Sequence, residues 1–145
     1  MEQEKIEFFH ETPIQIRFND IDSLGHVNNT KIQEYFDLGR MEYFKTVFGA
    51  DINWNTFAAI IASNKTDFYS PVLINNQLYL QTKVTKIGTK SFQLIQHLTD
   101  TSGLLKATCH SVMVGFNHKT QSSMEITNEW RGKMNIVEHG TILMK

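Results

Sequence analysis

The chain has 145 residues, and 14 Lys and Arg against 15 Asp and Glu leave a formal charge of -1, with 41% hydrophobic and 20% charged residues. That length supports one hydrophobic core and one domain, residues 1–145, and ten phenylalanines exclude a disordered chain. Near-neutral charge speaks against a nucleic-acid partner, no stretch approaches the roughly 18 apolar residues of a membrane span, and the acidic start MEQEKIEFFHET lacks a signal peptide's apolar centre; the expected location is cytoplasmic.

In chain order, residues 6–9 read as a strand start and residues 14–18, IQIRF, as a first strand whose alternation stops at Asn19-Asp20. A loop rich in Asp, Asn and Gly, DIDSLGHVNN, follows. Then Ile32, Tyr35, Phe36, Gly39, Tyr43, Phe44, Val47 and Phe48 recur at spacings of three and four, which predicts an amphipathic helix capped by Asn28 or Asn29 and ended by Gly49. Residues 56–63, 77–88, 91–100 and 104–117 read as successive antiparallel strands, separated by Asn75-Asn76, Gly88-Thr89 and Thr101-Ser102-Gly103. Residues 128–138 carry Trp130, Met134 and Val137 at helical spacing and predict a short closing helix. One long apolar helix followed by a meander implies an α+β fold, an antiparallel curved sheet wrapped around a central helix. Cys109 falls in a buried-strand pattern and reads as a structural thiol.

Residues 17–29, RFNDIDSLGHVNN, hold the densest chemistry. Asp20, Asp22 and Gly25 match three places of a calcium loop, but Leu24 and Lys31 stand where ligands are required, and the flanking segment reads as strand. Asp20, Asp22 and His26 lack the spacing of a transition-metal site, so no metal is expected. A third chemistry joins a carboxylate to a helix N-terminus: free N–H groups between Asn28 and Thr30 stabilise an oxygen that becomes anionic in acyl transfer, with Asp22 as nucleophile or as general base for water. A plain turn with a helix cap is the competing structural reading.

The stretch RFNDIDSLGHVNN, followed by Tyr35-Phe36-Asp37-Leu38-Gly39-Arg40, resembles the hotdog-fold acyl-CoA thioesterases of the 4-hydroxybenzoyl-CoA thioesterase type, densely from Ile14 to Phe44 and more loosely beyond. The resemblance implies a single-domain hotdog fold that hydrolyses acyl-CoA, or an acyl-carrier-protein thioester, without a cofactor. It implies Asp22 as the catalytic carboxylate, a structural Asp20, and the backbone N–H of Asn29 polarising the thioester carbonyl. Gly25, His26, Val27, Asn28 and Thr30 would form the substrate loop, with His26 either lining the site or bracing the loop, and Asn28 chiefly a cap. Lys90 falls where relatives turn a basic residue toward the CoA phosphates, a solvated turn lysine being the alternative. A homodimer or homotetramer with active sites at the interface is also implied. Two further functions remain open: a hotdog hydroxyacyl dehydratase or hydratase, with Glu34 as the helix acid, and a non-catalytic acyl-CoA-binding module.

Overall fold

A computed structural model describes residues 5–144. Residues 1–4 and 145, over which the domain and the reading of the N-terminal segment were expected to extend, lie outside the described residues. The elements in order are β1 (Glu11–Ile14), a 3-10 turn (Phe18–Asp20), α1 (Asn29–Phe48), β2 (Ala59–Phe68), β3 (Leu78–Ile87), β4 (Ser91–Asp100), β5 (Leu105–Asn117), β6 (Ser122–Ser123), α2 (Asn128–Val137) and β7 (Leu143–Met144).

The sheet order is β1-β3-β4-β5-β2, antiparallel throughout that path, with β7 adding to β3 in parallel and β6 to β5. It curves around α1, giving the expected hotdog arrangement, with α2 as a second, short helix. The buried stripe of α1 is made of Ile32, Tyr35, Phe36, Gly39, Arg40, Tyr43, Phe44 and Val47. Its first half packs with Leu78, Leu80 and Leu98, its second with Val84, Phe92 and Met134. No helix among the described residues is long and apolar enough to cross a membrane.

Three expectations are corrected. The first strand is Glu11–Ile14 and not residues 14–18, because the chain leaves the ladder after Ile14 and coils into the 3-10 turn. Burial still alternates through Ile16, so the pattern reported a face and not a ladder. Residues 6–9 form no strand. The strand expected over residues 56–63 lies at Ala59–Phe68: polar Asn64, Lys65 and Thr66 continue it as an edge strand, where the apolar run alone suggested an earlier end.

Two consequences position the site. The strands run side by side, so the loop before α1 gathers with the Phe68, Leu78, Asp100 and Leu105 ends, while Ile87 and Ser91 lie at the opposite end. β2 is bonded only to β5 among the described residues, leaving its other edge unpaired, with Ile60, Ile61 and Phe68 exposed.

Candidate active site

The loop from Asp20 to Asn28 is shaped by its own polar groups. The side chain of Asp22 accepts from Leu24 N at 2.9 Å, and the Asp22 carbonyl accepts from Gly25 N at 3.1 Å, closing a turn that Gly25 completes at φ +82°. Nothing lies within 4 Å of a Cβ at Gly25, so backbone conformation and not crowding calls for glycine there. Asp22 N donates to the His26 carbonyl at 2.9 Å, and Ile21 and Val27 form a single β-bridge that pinches the loop shut. Val27 buries its side chain in the core and donates its N–H to the Val72 carbonyl at 2.8 Å.

Asp20 anchors the loop to the helix. It is buried, accepts from the Tyr35 hydroxyl at 2.5 Å and from Arg17 N at 3.0 Å, and its carbonyl takes Asn28 N–H at 2.8 Å. Burial alone would raise its pKa, but the Tyr35 and Arg17 hydrogen bonds, with the Lys31 and Arg17 charges, bring it below the ordinary value. Asp22 is half-buried, and beyond its turn bond to Leu24 its second oxygen has no hydrogen-bond partner among the described residues. The two acids, two residues apart, thus stand in different states: Asp20 is buried with one oxygen taking two donors, and Asp22 is half-buried with a single turn bond.

The helix N-terminus adds a donor. Asn28, and not Asn29, is the cap: its side chain accepts from Thr30 N at 2.8 Å, and its carbonyl accepts from Lys31 N and Ile32 N. Val27 N and Asn28 N are also engaged. Asn29 N–H is the first-turn amide left without an acceptor among the described residues, at the end where aligned peptide dipoles concentrate partial positive charge.

A cavity of about 290 Å³ opens beside that amide, walled by His26, Val27, Asn29 and Ile32 on one side and by Phe68 and residues 69–72 on the other. Lys106, buried between the strands, holds this second wall. Its Nζ donates to the Pro71 carbonyl at 3.0 Å, and its carbonyl accepts from Tyr69 N and Ser70 N. Sequence reasoning passed over Lys106; a lysine in the buried run of β5 was its only signal. Arg40 was named only within the stretch that carries the resemblance and given no role, although it falls on the buried stripe of α1, where a cation requires partners.

The expected site residues therefore divide. Asp22, Gly25, His26, Val27, Asn28, Asn29 and Thr30 share one loop and helix start, and His26, Val27 and Asn29 line the cavity. Lys90 is not among them: it lies with Lys86 around a hollow of about 530 Å³ at the β3–β4 turn, on the far end of strands ten residues long, or roughly 30 Å at strand rise. Glu34 is exposed on α1, pairs with Lys31 at 3.5 Å and does not line the cavity. Among the described residues no group of three metal-ligating side chains comes together.

Comparison with known proteins finds a match to the Thioesterase-like superfamily over residues 16–134. The uncharacterized protein YsmA of Bacillus subtilis (strain 168) is 29% identical over 90 residues, which span 62% of this chain and 60% of that protein. Among solved structures, a thioesterase from Thermus thermophilus complexed with coenzyme A and Zn superposes with a TM-score of 0.82 at 22% identity, covering 91% of this chain and 96% of that one. A predicted thioesterase from Bacillus stearothermophilus gives 0.81 at 25% identity, covering 93% and 97%. The DHNA-CoA thioesterase of Staphylococcus aureus gives 0.77 at 15% identity, covering 92% and 96%.

Proposed function

The chain belongs to the Thioesterase-like superfamily, and from that premise we propose that it hydrolyses acyl-CoA thioesters to free acid and CoA, as an enzyme of the 4-hydroxybenzoyl-CoA thioesterase type built as one domain and working in the cytoplasm. The observation that carries the proposal is the pairing of an unengaged carboxylate oxygen on Asp22 with an unengaged N–H on Asn29, on one short loop beside a cavity. The thioester carbonyl accepts the Asn29 N–H, and the helix N-terminus stabilises the oxyanion that develops as the carbonyl carbon becomes tetrahedral. Asp22 attacks that carbon directly, or takes a proton from a water that does. In either route the C–S bond breaks and CoA leaves as a thiolate that gains a proton; a direct attack leaves an acyl-aspartyl anhydride, which water opens. No cofactor is required. Gly25, His26, Val27, Asn28 and Thr30 shape the substrate loop. The binding of coenzyme A by the Thermus thermophilus relative supports CoA as the thiol carrier, with an acyl-carrier protein as the alternative donor.

The working unit is a homodimer, or a tetramer built from it. Antiparallel pairing of two β2 edges would cover Ile60, Ile61 and Phe68 on the strand. Such pairing reverses the second sheet, so the partner's β3–β4 turn approaches this protomer's Asn29 end. Lys90 then serves the phosphates of CoA bound in the neighbouring site, which reconciles its distance from Asn29 within one chain. A dehydratase reading is disfavoured by Glu34, which faces solvent and Lys31.

The test is free-thiol release from short, medium, long and aromatic acyl-CoAs by wild type and by folded, correctly assembled Asp22→Asn. The proposal expects turnover of a subset and a loss of at least about 100-fold in the variant, the scale of removing a general base. Full activity in Asp22→Asn would remove Asp22 from the mechanism, and no thiol release from any member would favour the non-catalytic acyl-CoA-binding module.

A further inference from the structure

We propose that the acyl group accepted at this site carries an oxygen near its far end, received by Thr66 and Asn64 on the inner face of β2. The inference rests on the thioesterase reading and names its substrate class.

The register places Phe68 opposite Ala107, Thr66 opposite Cys109 and Asn64 opposite Ser111, so these three β2 side chains form one row on the face that meets α1. Phe68 already lines the cavity beside Asn29. From it the row leads away along the strand, Thr66 about 7 Å and Asn64 about 13 Å farther at ordinary strand rise. A site for plain alkyl chains would continue apolar in this direction. Here it becomes a hydroxyl and then an amide.

The amide has a fixed orientation. Arg40 can only donate, and its Nη1 gives hydrogen bonds to Gln96 Oε1 at 2.8 Å and Ser111 Oγ at 3.2 Å, while its other terminal nitrogen pairs with Asp37. Having accepted from a cation, Ser111 directs its own proton to Asn64 Oδ1 at 2.7 Å. The oxygen of Asn64 is thereby turned inward and its NH₂ is left outward on an exposed residue, with no acceptor among the described residues. Thr66 adds a second donor in want of a partner: its Oγ1 is buried and unbonded among the described residues, so its desolvation is uncompensated. The residue as a whole is half-buried, so rotation about χ1 carries the hydroxyl from the inner to the open side. A hydroxyl or keto oxygen toward the far end of the acyl chain satisfies these donors. A methyl end leaves them unpaired.

The experiment compares hexanoyl-CoA with 5-oxohexanoyl-CoA and 6-hydroxyhexanoyl-CoA, by thiol release and by calorimetric binding of the matching non-hydrolysable thioethers. The proteins are wild type, the near-isosteric Thr66→Val, and Ser111→Ala, with each oligomeric mass measured by light scattering. Wild type is expected to favour an oxygen-bearing member by about tenfold or more in kcat/KM. Thr66→Val should bring the pair formed by the favoured member and hexanoyl-CoA within about twofold and improve the plain chain. Ser111 is a positioning residue, buried and out of a ligand's reach, so Ser111→Ala should reduce the preference through KM as the Asn64 amide loses its fixed orientation. Equal treatment of the pair by wild type overturns the inference, as does a preference that survives Thr66→Val, or a change of mass in place of a change of selectivity. Thioethers discriminated without any thiol release would retain this inference and overturn hydrolysis; all three CoA esters cleaved at equal rates would do the reverse.

Discussion

Replacing Tyr35 by Phe removes one oxygen and tests what fixes the loop. The Tyr35 hydroxyl donates at 2.5 Å to Asp20, a buried carboxylate whose other donor is the Arg17 backbone N–H. Burial, then the bond to Asp20 and the Asp20 charge, hold the Tyr35 hydroxyl protonated well above its ordinary range, so it donates at any working pH. Hydrogen bonds to charged groups contribute about 1.5–3 kcal/mol, and for a chain of this size each kcal/mol moves the melting temperature by about 3–4 °C, so Tyr35→Phe should melt roughly 5–12 °C lower at pH 7. The sign of the pH dependence follows from Asp20. Its folded pKa lies below the ordinary value of 3.8, so its contribution is present above that pH and fades as the pH falls below it. Thermal melts by circular dichroism at pH 7 and pH 3 should therefore show the gap between wild type and variant narrowing in acid. Asp22 keeps its turn in the variant, so kcat/KM should fall by less than about tenfold at temperatures where the protein is folded. A melting temperature within about 1 °C of wild type, or an equal gap at both pH values, would refute the assignment of Asp20 as the anchor.

Gly39 brings α1 against β3: a Cβ there would meet Leu80 Cδ2, so Gly39→Ala should lose about 1–2 kcal/mol net, overpacking outweighing the gain in helix propensity, and Leu80→Val should restore part of the loss in urea titrations. Glu138 is fully buried and accepts from the Tyr43 hydroxyl at 2.6 Å, Val84 N at 3.1 Å and Lys83 Nζ at 3.2 Å, tying the end of α2 to β3 and α1. Glu138→Gln leaves Lys83 without its charge partner, and an expected loss of about 3 kcal/mol should appear as early hydrogen exchange in residues 128–144 if the tie is local.

Periodicity located what it measures and nothing finer. The helix ended at Phe48 with Gly49 behind it, β4 spans the expected residues 91–100, and α2 ends one residue short of the expected 138, because in each the apolar spacing and the turn residues agree. The first strand was misplaced because Ile14, Ile16 and Phe18 alternate in sequence whether or not a neighbour bonds to them, and Phe18 proves to be exposed. In the site, loop membership was legible and placement was not. A turn lysine such as Lys90 carries no sign of which end of the sheet it occupies until strand lengths are known. The row of Asn64, Thr66 and Phe68 was hidden for a related reason: a register shift between Ile61 and Ser63 resets which β2 side chains face the helix.

The separation of Asp20 from Asp22 shows the same limit at closer range. Two acids at positions i and i+2 on a continuing strand would share one face, and both would be buried or both exposed. The 3-10 turn over Phe18–Asp20 breaks that parity: it winds Asp20 inward to Tyr35, fifteen residues on, while the Ile21–Val27 bridge restarts an extended path that delivers Asp22 into the turn ahead of the helix. Asp20 then commits one side-chain oxygen to Tyr35 and Arg17 and its carbonyl to Asn28 N, and the carbonyls of Val72, Asp22 and His26 take up Val27, Gly25 and Asp22 N–H. With Thr30, Lys31 and Ile32 satisfied by Asn28, the Asn29 amide beside the cavity and one carboxylate oxygen of Asp22 on the same loop are without a partner among the described residues. A donor for an oxyanion and a base or nucleophile for a carbonyl carbon are the two groups that acyl transfer demands, and the turn at Asp22 and the cap at Asn28 leave one of each on this loop.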